Sequence, residues 1–310
     1  MSAGSLLVFC VLALNLLQGY GCSGANGGKQ EWQTPPRAEE HKATPKGDQK
    51  KMDDLVQRIL KKDPTATLLA KQIGPDAASA VRHLVTHEDP VVRELALRCL
   101  EQSGGDGISS LFGAALLDES PTVRAAGLSG LNKFLNPSDQ KALLVAFDRW
   151  TEAAEMQEQV ALLFGRIKGA SPDELRSRLT SELAPLARQG VIAALAKLGD
   201  RRAREEFSEG LRNAKDADLK RYLNYADYIN EAWVAVALQP ILFNKTPVLR
   251  IAVDGLPHAV PNNLRACDLA VNLIARIFGK TFSFQVNNRT NYTDEQLREV
   301  HSFITTASRE

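Results

Sequence analysis

Between residues 89 and 100, DPVVRELALRCL, the apolar side chains fall at Val92, Leu95, Ala96, Cys99 and Leu100. That i, i+3, i+4, i+7, i+8 stripe predicts a helix with one buried face. Thirty-one residues later the pattern returns in residues 120–131, SPTVRAAGLSGL. Pro90, Val92, Arg93, Leu97 and Leu100 are matched by Pro121, Val123, Arg124, Leu128 and Leu131. In both copies an N-cap residue, Asp89 or Ser120, precedes a proline at the first helical position, where a missing N–H loses no intrahelical bond. Residues 77–86 and 108–117, just upstream, read as partner helices, so each unit is helix, turn, helix. Self-similarity at this period predicts an array of units, each burying its apolar face against its neighbours.

The Arg93 position continues to Arg124, Gln157, Arg188 and Lys220, at spacings of 31, 33, 31 and 32. Residues 64–72 form a shorter copy behind a helix over 53–62. Residues 187–200 form another copy, with Gly199 as its stop. Residues 264–270, LRACDLA, restore the pattern after a longer insert. Asn136-Pro137-Ser138-Asp139 opens a further helix, Ser171-Pro172-Asp173-Glu174 reads as a capping box, and Thr293-Asp294-Glu295-Gln296 opens a closing helix to about residue 307.

These repeats resemble the HEAT-repeat family, in the short-period form also found in phycobilin-lyase-like proteins. The resemblance covers roughly residues 53–275. It is carried by 89–100, 120–131 and 187–200 and fades at 156–164, where Gln157 replaces the basic residue, and at 219–229. It implies an all-α fold, a right-handed α-solenoid of helix pairs with a short β-containing insert near the C-terminus. It also implies that each ladder cation reaches an aspartate or a carbonyl in a turn between units. The alternative is a charged stripe on a binding face.

Residues 6–17 are apolar apart from Asn15. Twelve residues suit the core of a signal peptide and are too few to span a bilayer. Gly21-Cys22 at its end resembles a bacterial lipoprotein processing site, which makes Cys22 the lipidated first residue of the mature chain; the alternative is an ordinary secretory signal. Residues 23–50 have no apolar periodicity and read as a disordered tether containing Trp32. The chain thus divides into a signal peptide (1–21), a linker (22–50), repeats (51–229) and a C-terminal cap (230–310).

In the cap, 231–242 is an apolar helix that Pro240 should kink. Residues 247–255, PVLRIAVDG, are a strand closed by Asp254-Gly255, followed by a loop with Pro257, His258 and Pro261. A long helix over 264–278 encloses Asp268, expected to cap or to pair with an arginine such as Arg250 or Arg265, the alternative being that it marks a site. Residues 281–286 read as a short edge strand. Asn244, Asn288 and Asn291 each begin a glycosylation pattern.

Composition adds limits. In 310 residues, 44% hydrophobic and only 6% aromatic, leucine and alanine carry the packing, as helix pairs allow. A net charge of +1 argues against a nucleic-acid partner, which needs a concentrated basic face. On the lipoprotein reading Cys10 leaves with the signal and Cys22 is acylated. Cys99 and Cys267 lie repeats apart on apolar faces and read as buried thiols. His83 and His87 share a helix edge beside Glu88 and Asp89, either as metal ligands or as a surface pair. Gly104-Gly105-Asp106-Gly107 reads as a turn, since no Lys-Ser/Thr follows to make it a phosphate loop.

These features predict a non-catalytic protein-binding scaffold without cofactor, exported to the cell envelope and held on a membrane through Cys22, with plain secretion as the alternative. Candidate partner-binding residues are Glu94, Arg98, Glu101, Asn132 and Lys133 on the second helices. Tyr222, Tyr225 and Tyr228 form a stripe that is either inter-repeat core or a set of anchors. The competing readings are a lyase-like HEAT enzyme and a structural envelope protein without a discrete ligand.

Overall fold

The structure, a computed structural model, describes residues 46–251, 262–288 and 290–307. The expected signal segment, Cys22, Trp32 and the expected Asp254-Gly255 turn with His258 lie outside the described residues.

The chain is mostly helical, with one two-stranded sheet among the described residues. Helices α1 (Lys46–Leu60) and α2 (Ala66–Ile73) form the first pair; α3 (Ala77–Val81), continued by a 3-10 turn, precedes α4 (Pro90–Ser103). Then follow α5 (Ser109–Ala115) with α6 (Pro121–Phe134), α7 (Gln140–Arg149) with α8 (Ala154–Phe164), and α9 (Pro172–Arg176) with α10 (Pro185–Lys197). The last pair is α11 (Arg201–Asn213) with α12 (Asp216–Ile229). The second helices α2, α4, α6, α8, α10 and α12 each pack on the next.

Local sequence explains the pairs. The stripe Val92, Leu95, Ala96, Cys99, Leu100 is buried throughout, as are Val123, Ala126 and Leu131. Asp89 caps α4 by accepting from Val91 N at 2.9 Å. Ser120 makes no such bond; its own N–H instead donates to Asp118 Oδ1 at 2.8 Å. Ser171 does not cap either, and α9 stops after five residues. Helix α1 starts at Lys46, five residues inside the expected tether. Its first turn is polar all round and so shows no period, while Met52, Leu55 and Ile59 anchor the helix from further along.

The cap begins with α13 (Ala232–Ala237), which passes at Pro240 into a 3-10 turn over Gln239–Phe243, the expected break. Strands β1 (Pro247–Ile251) and β2 (Asn262–Arg265) pair antiparallel, with Leu249 opposite Leu264 and a register shift between Pro247 and Leu249. Helix α14 (Ala266–Phe278) therefore starts two residues later than its apolar pattern suggests: Leu264 and Arg265 are extended and belong to β2. Residues 281–286, expected as a strand, find no partner strand and run as a loop, with the Phe282 and Phe284 rings stacked at 5.5 Å. Helix α15 (Asp294–Ala307) opens with its capping box formed: Thr293 N donates to Gln296 Oε1 at 2.8 Å and Gln296 N to Thr293 Oγ1 at 3.3 Å.

Candidate functional site

The basic ladder points inward. Arg93 donates through Nη1 to the carbonyls of His87 and Glu88, at 2.8 Å each. Its Nε and Nη2 hold the Asp118 carboxylate at 2.7 Å each. Burial pushes Asp118 up, but Arg93 and the Ser120 N–H outweigh it and hold the carboxyl below its usual range. Arg124 repeats half of this geometry one unit on, donating to the carbonyls of Asp118 and Glu119 at 2.9 Å each. Its guanidinium lies 4.0 Å from the centre of the Trp150 ring. Arg188 pairs with Glu206 at 2.9 Å. Gln157, short and neutral, turns to the Phe147 carbonyl at 3.0 Å and leaves its buried Oε1 without a partner. Lys220 alone is simply exposed. For Arg93 and Arg124 the turn-bracing role holds, rather than that of a charged docking stripe.

A second row of polar groups escaped the sequence reading. Lys71, Gln102, Lys133, Arg166 and Lys197 follow one another at spacings of 31, 31, 33 and 31, at or just past the C-terminal ends of the same helices. Lys133 Nζ donates to the Glu101 carbonyl at 2.8 Å. Arg166 donates to the Asn132 carbonyl at 2.8 Å and to its side-chain oxygen. Lys197 donates to the carbonyls of Tyr228 and Ile229 at 2.8 and 3.0 Å. The signal was present as a fixed spacing, but it sits off the apolar stripe and so was overlooked.

The partner-binding candidates on α4 and α6 fall between the two rows, with Lys133 on the second row itself. There the face is polar and open. Glu94 pairs with Arg98 at 2.8 Å, and the Arg98 side chain stays 49% exposed. Glu101 accepts from Ser129 at 2.9 Å, and Asn132 and Lys133 are exposed. The positions matching Arg98 and Glu101 further along are Leu162 on α8 and Gly165 just past it, then Ala193 and Ala196 on α10, which are small or apolar and mostly buried; those matching Glu94 and Lys133 stay polar, as Glu158, Gln189, Arg166 and Lys197.

The tyrosines lie over this small-residue stretch, Tyr225 in the core and Tyr222 and Tyr228 half-buried against it. Tyr225 is 2% exposed and donates its hydroxyl to Glu158. Tyr228 donates to the Leu162 carbonyl at 2.7 Å. Both bonds reach past α10 to α8, two units back. Tyr222 packs tilted on Phe207 at 5.5 Å, its hydroxyl against Gly210. Gly165 leaves room for the Tyr228 hydroxyl and Gly210 for that of Tyr222, while Gly190 lets α10 close on Glu158, the partner of Tyr225. Of the eight candidates, the five on α4 and α6 are brought together on an open face, and the three tyrosines seal its continuation.

Burial pushes the Glu158 carboxyl up; Tyr225 and Arg221 oppose this without cancelling it. A carboxyl that binds its proton more tightly folded than unfolded withdraws stability as pH rises through and above its ordinary value of about 4.3. Glu158→Gln keeps an acceptor for Tyr225 and removes the charge. It should therefore gain stability relative to the parent between pH 4 and pH 8, measured as urea midpoints across that range; a constant difference would place the charge elsewhere.

In the cap, Asp268 is fully buried. It accepts from Arg265 N and Nε at 2.9 Å each, from Arg265 Nη2 at 2.7 Å and from Tyr292 N at 2.9 Å. With its nitrogen turned inward, the Asn291 amide donates to Asp268 at 2.9 Å and to the Asn263 carbonyl at 3.1 Å. Arg265 also binds the Tyr292 carbonyl at 2.7 Å. Asp268 thus caps α14 and joins β2, α14 and the loop before α15, with every close partner a structural one.

The remaining chemistry is sparse. His87 Nδ1 accepts from Asp89 N at 3.0 Å, the turn role that Asp118 plays one unit later. Among the described residues no cluster of three or more His, Cys, Asp or Glu is placed to hold a metal ion. Burial pushes the Cys99 thiol up to about 12 and the Cys267 thiol to about 11, so neither is a ready nucleophile. The Asp106 carbonyl in the glycine turn is occupied by Arg82. Among the described residues no helix is long and apolar enough to cross a membrane. No protein-family model and no curated protein sequence matches this chain.

Proposed function

We propose that this protein is a non-catalytic protein-binding scaffold, exported and held on a membrane through a lipidated Cys22, with its repeats arranged as a right-handed solenoid of HEAT-like helix pairs. The solenoid reading is supported by the serial packing of second helices and by the repeated bracing of Arg93 and Arg124 on the turn before each helix. The observation that carries the function is the contrast along one face. It is open and polar on α4 and α6, at Glu94, Arg98, Glu101, Asn132 and Lys133, and filled by tyrosines beyond α8. A partner then docks on the α4–α6 stretch.

The test is photo-cross-linking in cells expressing the full chain, with a photoreactive residue at position 98, 132 or, as a control, 201 on α11. Positions 98 and 132 should trap the same protein and position 201 should not. Equal trapping at all three, or none at 98 and 132, would remove the face assignment. The anchor is tested separately by the mass of the mature N-terminus beside Cys22→Ala: an acyl mass lost in the variant supports it, and a retained Met1 removes it.

A further inference from the structure

The two rows of cations differ in part in what they end on. In the N-terminal row, Arg93 ends on the Asp118 carboxylate and Arg188 on that of Glu206, while Arg124 ends on the carbonyls of Asp118 and Glu119 and the face of Trp150. In the C-terminal row, Lys133 and Lys197 end on backbone carbonyls, and Lys71, in the last turn of α2, is exposed. The carbonyls of a helix end supply about half a negative charge in all. These ammonium groups are held in position while keeping much of their charge. Glu101, whose carbonyl Lys133 binds, accepts from Ser129 through its side chain, and Glu231, which acts on Lys197, pairs with Arg204 at 2.8 Å. Burial pushes the Lys197 ammonium down, and Arg166 beside it adds to the effect; Glu231 opposes it without cancelling it.

We propose that this C-terminal edge, from α2 to α10, is a docking strip for an extended acidic segment of a partner protein, held by Lys71, Lys133 and Lys197. The inference rests on the scaffold reading and names the chemistry of its partner. Five helices packed at about 8–10 Å make an edge of about 32–40 Å, which an extended chain at about 3.3 Å per residue covers in about 10–12 residues. An acidic peptide fits better than a lipid surface. Lys133 lies 5.0 Å from the centre of the Phe134 ring and Lys197 5.0 Å from that of Tyr228. Ammonium groups drawn down over rings at helix ends are reached by single carboxylates more readily than by a plane of headgroups.

The experiment is fluorescence anisotropy of the full chain with a labelled twelve-residue peptide of alternating Glu and Ser, and with its Gln counterpart, at low salt. The Glu peptide should bind and the Gln peptide should not. Lys71→Gln with Lys133→Gln should weaken binding at least threefold, and adding Lys197→Gln at least tenfold. Arg201→Gln, off the row, should leave it within twofold. Lys71 and Lys133 are exposed, so the double variant serves if the triple one is poorly folded. Equal affinity for the two peptides, or no effect of the double variant, overturns the proposal. So does binding of phosphatidylglycerol vesicles, but not peptide, that the double variant abolishes, which would make the edge a membrane contact. Failure here with the same protein trapped at 98 and 132 would leave the scaffold reading standing and remove only its acidic partner; failure of both would remove the two together.

Discussion

Asp268→Ala should destabilise the protein by about 3–5 kcal/mol, the usual cost of stripping one partner from a buried, hydrogen-bonded ion pair. The change leaves the Arg265 guanidinium facing an empty site, with the Tyr292 carbonyl as its remaining acceptor. It also strands the N–H groups of Arg265 and Tyr292 in a buried environment, which adds a desolvation cost. Urea unfolding of the full chain measures the loss, and a change below about 1 kcal/mol would mean that water replaces the carboxylate. The pH dependence carries a second signature. Burial pushes Asp268 up, but the Arg265 bonds and the Tyr292 N–H outweigh it, and the net shift is downward. Its contribution is therefore complete above the ordinary aspartate value of about 3.9 and is lost as pH falls through the lower folded value. Asp268→Asn should flatten that acid limb, leaving the shallower slope due to Asp118 and the other carboxyls shifted in the same direction, Asp63, Asp89, Asp294 and Glu299.

Gly190→Ala should also destabilise, by about 1–3 kcal/mol, the usual cost of overpacking. In an open helix the change would gain about 1 kcal/mol. Here an added Cβ would lie 2.9 Å from Glu158 Cα and 3.2 Å from the Glu158 carbonyl oxygen. Both are backbone atoms of α8, so relief requires α8 and α10 to separate. Separation would in turn pull Glu158 from Tyr225 and Leu162 from Tyr228. Gly113→Ala is the matched control: its Cβ would meet only the Ala142 methyl group, at 3.2 Å, and should change stability far less. Thermal melts of the two variants beside the parent decide the matter, and equal shifts would show that α8 and α10 have slack.

Much of the architecture was legible because its signals are local. The stripe at Val92, Leu95, Ala96, Cys99 and Leu100 and its Asp89-Pro90 start define α4 within a few residues of chain, and the same grammar 31 residues on defines α6. Even the bracing by Arg93 was readable, since the His87 and Glu88 carbonyls lie six and five residues upstream. Errors came where the deciding atom is distant or the signal lacks a period. Arg265 was read as helical because it continues an apolar pattern, yet its pairing with Pro247 makes it strand. The turn at Ser171 carries the right letters for a cap and does not form one.

The candidate site divides the same way. Composition and spacing put Glu94, Arg98, Glu101, Asn132 and Lys133 on the polar side of two helices, and the structure leaves them there, half-buried or exposed, because side chains that meet only polar neighbours keep their access to water. For Tyr222, Tyr225 and Tyr228 the spacing shows only that they share a helix face. Whether that face meets solvent or protein depends on Glu158, Leu162, Gly165 and Gly190, up to 67 residues earlier, and on how closely α8 and α10 approach. The sequence by itself determined most of the helices, the caps at Asp89 and Thr293 and the repeating pattern, since each rests on signals within a turn or two of the chain. Which stretch of the shared face is open and which is sealed was decided only in the tertiary structure, because burial is a property of neighbours that the chain brings together from separate units.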